Sequence, residues 1–109
     1  MTVEFKLQNK KIYLKNSSKV FKPTQTSKYL IEAIIKDYKF KKNSILDLGC
    51  GNGIIGISII KSIKNFKEFY FADLSKSAVS TTKENLKLNK ISSKKIKIIQ
   101  SDIFNNIYF

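Results

Sequence analysis

Gly49, Gly51, Gly53 and Gly56 fall within eight residues of one another, and the chain has no other glycine. They follow Ser44-Ile45-Leu46-Asp47-Leu48, a short apolar run with one acid that reads as a buried strand. After them Ile54, Ile55, Ile57, Ile60 and Ile63 recur at helical spacing. The unit is strand, glycine turn, helix. Such a turn needs backbone angles that a Cβ penalises, and a ligand comes closest to a main chain without side chains. The opening of a helix presents unpaired N–H groups and a partial positive charge, which suits a phosphate or a carboxylate. The expectation is a nucleotide-type binding loop, set against a plain glycine-rich turn with no ligand.

Gly51-Asn52-Gly53-Ile54-Ile55-Gly56 matches the G-x-G-x-x-G dinucleotide fingerprint letter for letter, which taken alone is a weak signal. The longer string Asp47-x-Gly49-x-Gly51-x-Gly53 is more specific. It resembles the first motif of class I S-adenosylmethionine-dependent methyltransferases. In that family the strand-end carboxylate, here Asp47, helps to hold the loop and the cationic methionine end of the cofactor. A dinucleotide-binding strand is usually apolar at this position. An NAD-dependent oxidoreductase fragment stays open as the alternative.

Composition bounds the rest. A chain of 109 residues is one folding unit at most. Its hydrophobic content of 42% and charged content of 27% are those of an ordinary globular protein. No apolar run is long enough to span a bilayer, and the N-terminus lacks a signal-peptide pattern, so no membrane is expected and the compartment is the cytoplasm. The net charge is +13, and all 21 basic residues are lysine. Lysines neutralise phosphates, which leaves nucleic-acid contact open. Yet Lys, Ile and Asn together make up 47 residues, the bias of an AT-rich coding sequence. Histidine is absent and Cys50 is the one cysteine, which excludes an internal disulfide, a Cys/His metal site and the usual His-activated nucleophiles. Cys50 reads as packing inside the loop.

Residues 1–22 alternate loosely, with turn-like Gln8-Asn9-Lys10, and predict a short β-hairpin that covers a sheet edge or belongs to a substrate module. Residues 23–109 are the expected cofactor-binding domain proper, to which the hairpin is an appendage. Tyr29, Leu30, Ala33, Ile34 and Tyr38 predict a helix capped by Thr26 or Ser27. Glu68–Asp73 reads as a second buried strand ending in an acid, and Asp73 lies about 20 residues past the loop, where a carboxylate can accept ribose hydroxyls. The plainer role for Asp73 is a cap on the next helix, which carries Ala78, Val79, Thr82 and Leu86 on one face. Lys95–Gln100 is the third strand, followed by Asp102. Three of the eight acids, Asp47, Asp73 and Asp102, thus follow predicted strand cores, as a ligand-binding row would.

Two further strings carry the resemblance. Val20-Phe21-Lys22-Pro23-x-x-x-Ser27 and Asp73-x-Ser75-x-x-Ala78-Val79 are similar to segments of the HemK/PrmC-like, small-domain methyltransferases. In the first, Gln25 and Thr26 stand where that family has an acid. The resemblance implies a partial Rossmann-like α/β fold, three parallel strands in the spatial order 3-2-1 with flanking helices on both faces. It implies S-adenosyl-L-methionine as cofactor, held by Asp47, Gly49, Gly51, Gly53, Asp73 and Leu74. Asp102 would take the adenine amino group, Ile103 would pack on the ring, and Thr26 would lie against the bound cofactor. The implied reaction is transfer to a nitrogen of a protein glutamine or an RNA base. A cofactor-binding module without turnover is the other reading.

The family holds its reacting nitrogen with an Asn-Pro-Pro-Tyr motif after a fourth strand, and no such string occurs here. Catalytic residues are therefore unassigned. The first predicted strand would form an open edge, through which the chain could self-associate. Residues 1–109 alone are predicted not to methylate release-factor peptides, ribosomal RNA or DNA. Incubation with radiolabelled donor checks this, and saturable labelling above a Gly51→Arg control would reveal a complete active site.

Overall fold

The computed structural model describes residues 2–7, 10–15, 25–38, 43–63 and 65–102. The first two elements, β1 (Thr2–Leu7) and β2 (Lys10–Lys15), pair antiparallel with Thr2 opposite Lys15. This is the expected hairpin, and its alternation puts Leu7, Ile12 and Leu14 in the core. Next come α1 (Gln25–Asp37), β3 (Asn43–Leu48), α2 (Ile54–Ser62), β4 (Phe66–Asp73), α3 (Lys76–Leu88) and β5 (Ile96–Gln100). The last three strands make one parallel sheet in the order β3-β4-β5. β4 starts at Phe66, earlier than the sequence suggested, and Phe66 is itself buried.

Strand alternation sorts β4 into two faces. Phe69 and Phe71 point to one side, where they pack with Ile31 of α1, Ile57 and Ile60 of α2, and Leu86 of α3. Both rings are fully buried, and each contributes on the order of 1.5–3 kcal/mol. Tyr70 and Ala72 point to the other side, with Leu46 and Ile99. An arrangement with helices on both faces was expected; among the described residues all three helices share one face. The reason is topological. Both crossovers step the same way across the sheet, so a uniform hand places both connecting helices on the same side.

The hairpin does not extend the sheet. It packs on α3 and α2 and joins the same core cluster. Polar side chains fasten β2, the strand that faces these helices. The Asn85 Oδ1 accepts the Lys15 N–H at 2.6 Å, and Asn89 accepts the Tyr13 N–H at 2.9 Å while donating to the Tyr13 carbonyl at 2.6 Å. The Lys61 ammonium donates to the Lys11 carbonyl at 2.9 Å.

Helix α2 approaches the rings closely because Gly56 has no side chain. A Cβ there would lie 2.2 Å from Cε1 of Phe71 and 2.9 Å from Cε1 of Phe69. Gly56→Ala is therefore predicted to destabilise the fold by ~1–3 kcal/mol through overpacking, despite the better helix propensity of alanine. Thermal unfolding measures it; an unchanged midpoint would mean that α2 does not sit on these rings.

Candidate cofactor site

The loop between β3 and α2 turns through three glycines with positive φ: Gly49 at 72°, Gly51 at 57° and Gly53 at 84°. Gly53 is the N-cap of α2 and adopts the left-handed conformation, which a residue with a Cβ would strain. Its missing Cβ would also meet the Thr82 methyl at 3.0 Å. At Gly49 the same position opens into free space, so a ligand can touch that backbone directly.

Hydrogen bonds fix the loop from several directions. The N–H groups of Gly49 and Cys50 both donate to the Ala72 carbonyl, at 2.8 and 2.9 Å, which ties the loop to β4. Gly51 donates to Oδ2 of Asp73 at 3.0 Å, and Ser75 donates to Oδ1 of the same carboxylate at 2.9 Å. Asp73 is thus set against the glycine loop, and it is not the cap of α3: Ser75 is, accepting from Ala78 N–H at 3.2 Å. From α3, the Thr82 hydroxyl donates to the Gly51 carbonyl at 3.0 Å and Asn85 donates to the Asn52 carbonyl at 2.8 Å.

The expectation of a helix opening offered to an anion needs correction. Asn52 Oδ1 takes the Ile54 N–H at 3.0 Å, and Asp47 Oδ2 takes the Gly56 N–H at 3.3 Å. The chain answers these two donors itself, and the negative end that complements the helix dipole is its own Asp47.

A cleft of about 240 Å³ opens at the carboxyl ends of the strands, lined by Leu48, Gly49, Asp73, Leu74, Ser101 and Asp102. Four expected site residues, Gly49, Asp73, Leu74 and Asp102, meet there. Leu48 and Leu74 are 45% and 65% exposed and give the cleft an apolar rim. Asp47, Gly51 and Gly53 shape the loop without lining the cleft. Thr26 is exposed inside the first turn of α1, and so is no cap; neither is Ser27, which the helix also includes. Ile103 and Pro23 lie outside the described residues. A larger cleft, about 680 Å³, sits where β4 and β5 begin. Open parallel sheets bind ligands at the carboxyl ends, so the smaller cleft is the candidate cofactor site.

Sequence reading missed Asn52 and Asn85, and assigned Thr82 only to packing. A signal was available: Thr82, Asn85 and Asn89 recur three and four residues apart, a polar stripe on the buried face of α3.

The model of the methyltransferase small domain matches residues 12–108. The chain belongs to that family. It is one of S-adenosylmethionine-dependent methyltransferases with a Rossmann-like fold. An uncharacterized Bacillus subtilis protein is 33% identical over 109 residues, 97% of this chain and 52% of the relative. The release factor glutamine methyltransferase of Lactococcus lactis is 31% identical over 94 residues, 86% of this chain and 33% of the relative. The chain thus spans about half or less of the length of these relatives. A T. thermophilus 16S rRNA methyltransferase, solved with AdoMet and guanosine, superposes with a TM-score of 0.83 at 17% identity, covering 99% of this chain and 29% of that one. The last likeness is one of fold.

Electrostatics separate the site's titratable groups. Burial pushes the Asp47 carboxyl up from 3.8 to about 6; the Gly56 N–H opposes this, and the charge of Asp73 adds to it. Burial likewise pushes the Cys50 thiol up to about 11, against its contact with the Thr82 hydroxyl at 3.4 Å. Cys50 is a neutral thiol at physiological pH and packs, as its place in the loop suggested.

For Asp47 the sign follows from linkage. The unfolded chain ionises near 3.8 and the folded chain near 6, so the folded state holds the extra proton between them. The contribution of Asp47 to stability falls as pH rises through that window and is level above it. Asp47→Asn should remove this component. Thermal midpoints compared between parent and variant across that pH range check it, and parallel curves would refute the shift.

Proposed function

We propose that this chain is the cofactor-binding part of a methyltransferase that modifies a nitrogen, of a protein glutamine or an RNA base. The observation that carries the reading is the placement of Asp73. Its carboxylate is fixed by the N–H groups of Gly51 and Ser75, yet it lines the cleft with Leu74 and Asp102. A carboxylate has about four lone-pair positions, so each oxygen retains capacity for a ligand hydroxyl.

The residues fit S-adenosylmethionine. Asp73 would accept from the ribose hydroxyls, and Asp102 would accept from the adenine amino group. Leu48 and Leu74 would give the ring apolar contact. Gly49 would let the ligand lie against bare backbone. Asp47, next to the loop, would face the cationic methionine end once ionised. When bound, the cofactor supplies a methyl group on a positively charged sulfur, open to direct displacement by a nitrogen lone pair. The chain's own contribution is to bind and orient, and such positioning supplies much of the rate in reactions of this kind. Family membership favours the methyl donor over NAD.

The activities of relatives support both acceptor classes, a release-factor glutamine and ribosomal RNA. Calorimetry with S-adenosylhomocysteine and NAD tests the cofactor. Asp73→Ala is predicted to weaken S-adenosylhomocysteine binding by ~1–3 kcal/mol, the loss expected when buried hydroxyls lose a charged acceptor. Asp73→Asn keeps one acceptor oxygen but turns an NH₂ toward one of two N–H donors, so its loss should be smaller without vanishing. Parent-like affinity in both variants would leave Asp73 a loop anchor alone.

A further inference from the structure

The cleft of about 680 Å³ where β4 and β5 begin is lined by Lys10, Lys11, Lys61 and Lys90 above a floor of Ile60, Phe66, Ile91 and Ile96. Among its described lining residues there is no Asp or Glu. A second cleft of about 330 Å³ shares Ile91, Ser92, Ser93 and Ile96 with it and adds Lys83 and Lys87. Together they form one lysine-rimmed groove around the connection from α3 to β5.

Lysine abounds in this chain, so its mere presence decides nothing. The setting of these lysines does. Lys15 and Lys97 elsewhere each have a carboxylate at 2.8 Å. In the groove the Lys61 ammonium donates to the Lys11 carbonyl at 2.9 Å and to Asn89 Oδ1 at 3.2 Å, and the Lys10 ammonium donates to the Lys61 carbonyl. Neutral acceptors thus hold two positive charges side by side. Burial and the charge of Lys10 lower the proton affinity of Lys61, a penalty that an anion between them would offset.

We propose that this groove docks the phosphodiester backbone of a single-stranded RNA. Repeated positive charge along a groove with an apolar floor suits a strand that alternates phosphates with flat bases. An acidic peptide would satisfy the charges and leave the floor uncovered. β4 has 8 residues and β5 has 5, so the groove and the glycine loop lie ~15–25 Å apart along the strands. With phosphates ~3.4 Å apart along a helical strand, several nucleotides bridge that distance. The proposal deepens the methyl-transfer reading by naming how an RNA acceptor would be held, and rests on that reading only for the docked strand's being the acceptor.

The test uses the full chain, a short fluorescent oligouridine and anisotropy at several salt concentrations. Lys11→Glu with Lys90→Glu reverses two groove charges; Lys28→Glu with Lys36→Glu on α1 makes the same change in net charge. The groove pair should weaken RNA binding at least about tenfold and lower the salt slope by about 1.4, as loss of two phosphate contacts to a single strand requires, while the α1 pair changes affinity much less. Equal weakening by both pairs would reduce the effect to net charge and overturn the proposal, as would no weakening by either. So would a groove pair that loses a labelled polyglutamate peptide more than RNA. Thermal midpoints report folding; if the groove pair melts, Lys11→Gln with Lys90→Asn replaces it, asparagine being at ease with the φ of 56° at that position. Calorimetry with S-adenosylhomocysteine runs separately, so failure of the cofactor reading is told apart from failure of RNA docking.

Discussion

One buried amide joins the parts of this protein. Asn85 is fully inaccessible; its NH₂ donates to the Asn52 carbonyl in the glycine loop and its oxygen accepts from Lys15 in the hairpin. A buried amide left without partners would cost ~1–3 kcal/mol for each unanswered group. The loop and the hairpin must therefore take up positions that satisfy both ends at once. Helix α3 is the rod that carries this demand, with Thr82 holding the loop on one side of Asn85 and Asn89 holding β2 on the other. The packing of Leu86 and Val79 sets how deep the rod lies, and the polar stripe sets its register.

The parallel sheet and its glycine loop were legible because they rest on local rules. Apolar runs with Asp47 and Asp73 near their ends mark strands, and the glycines can serve little but a turn with positive φ. Only the second strand is buried as expected, because β3 is the edge of the sheet and none of its residues is fully buried. The hairpin was legible from alternation at Phe5, Leu7, Ile12 and Leu14. Its seat on α2 and α3 was not, since the bonds that fix it join residues about 70 positions apart. The same limit hid the single-faced helix layer, which follows from the direction of two crossovers together rather than from either one. Thr26 was misplaced as a cap because Gln25 already belongs to the helix. Helix starts carry few residues' worth of signal.

Asp47 illustrates how one acid can serve the fold at a cost to itself. Its carboxylate is the acceptor for Gly56 and so seats the first turn of α2, the turn that rests on Phe69 and Phe71. The surroundings that make this seat firm also exclude water, and they raise the energy of the charged form. A neighbouring cation would relieve that strain; a second carboxylate, Asp73, increases it. The two acids are placed differently: Asp73 is half-buried and lines the cleft, while Asp47 sits behind the loop and accepts from the backbone of α2.

The fastening of β2 has a consequence for how this protein meets its neighbours. A strand's outer side ordinarily offers a template on which another chain can add a strand by β-augmentation. Here the Lys11 carbonyl, both main-chain groups of Tyr13 and the Lys15 N–H are already engaged by side chains of Lys61, Asn89 and Asn85. Side chains have replaced the missing strand. That flank of the hairpin is closed to amyloid-like stacking, and an invading strand would have to displace buried asparagines before gaining its first ladder bond.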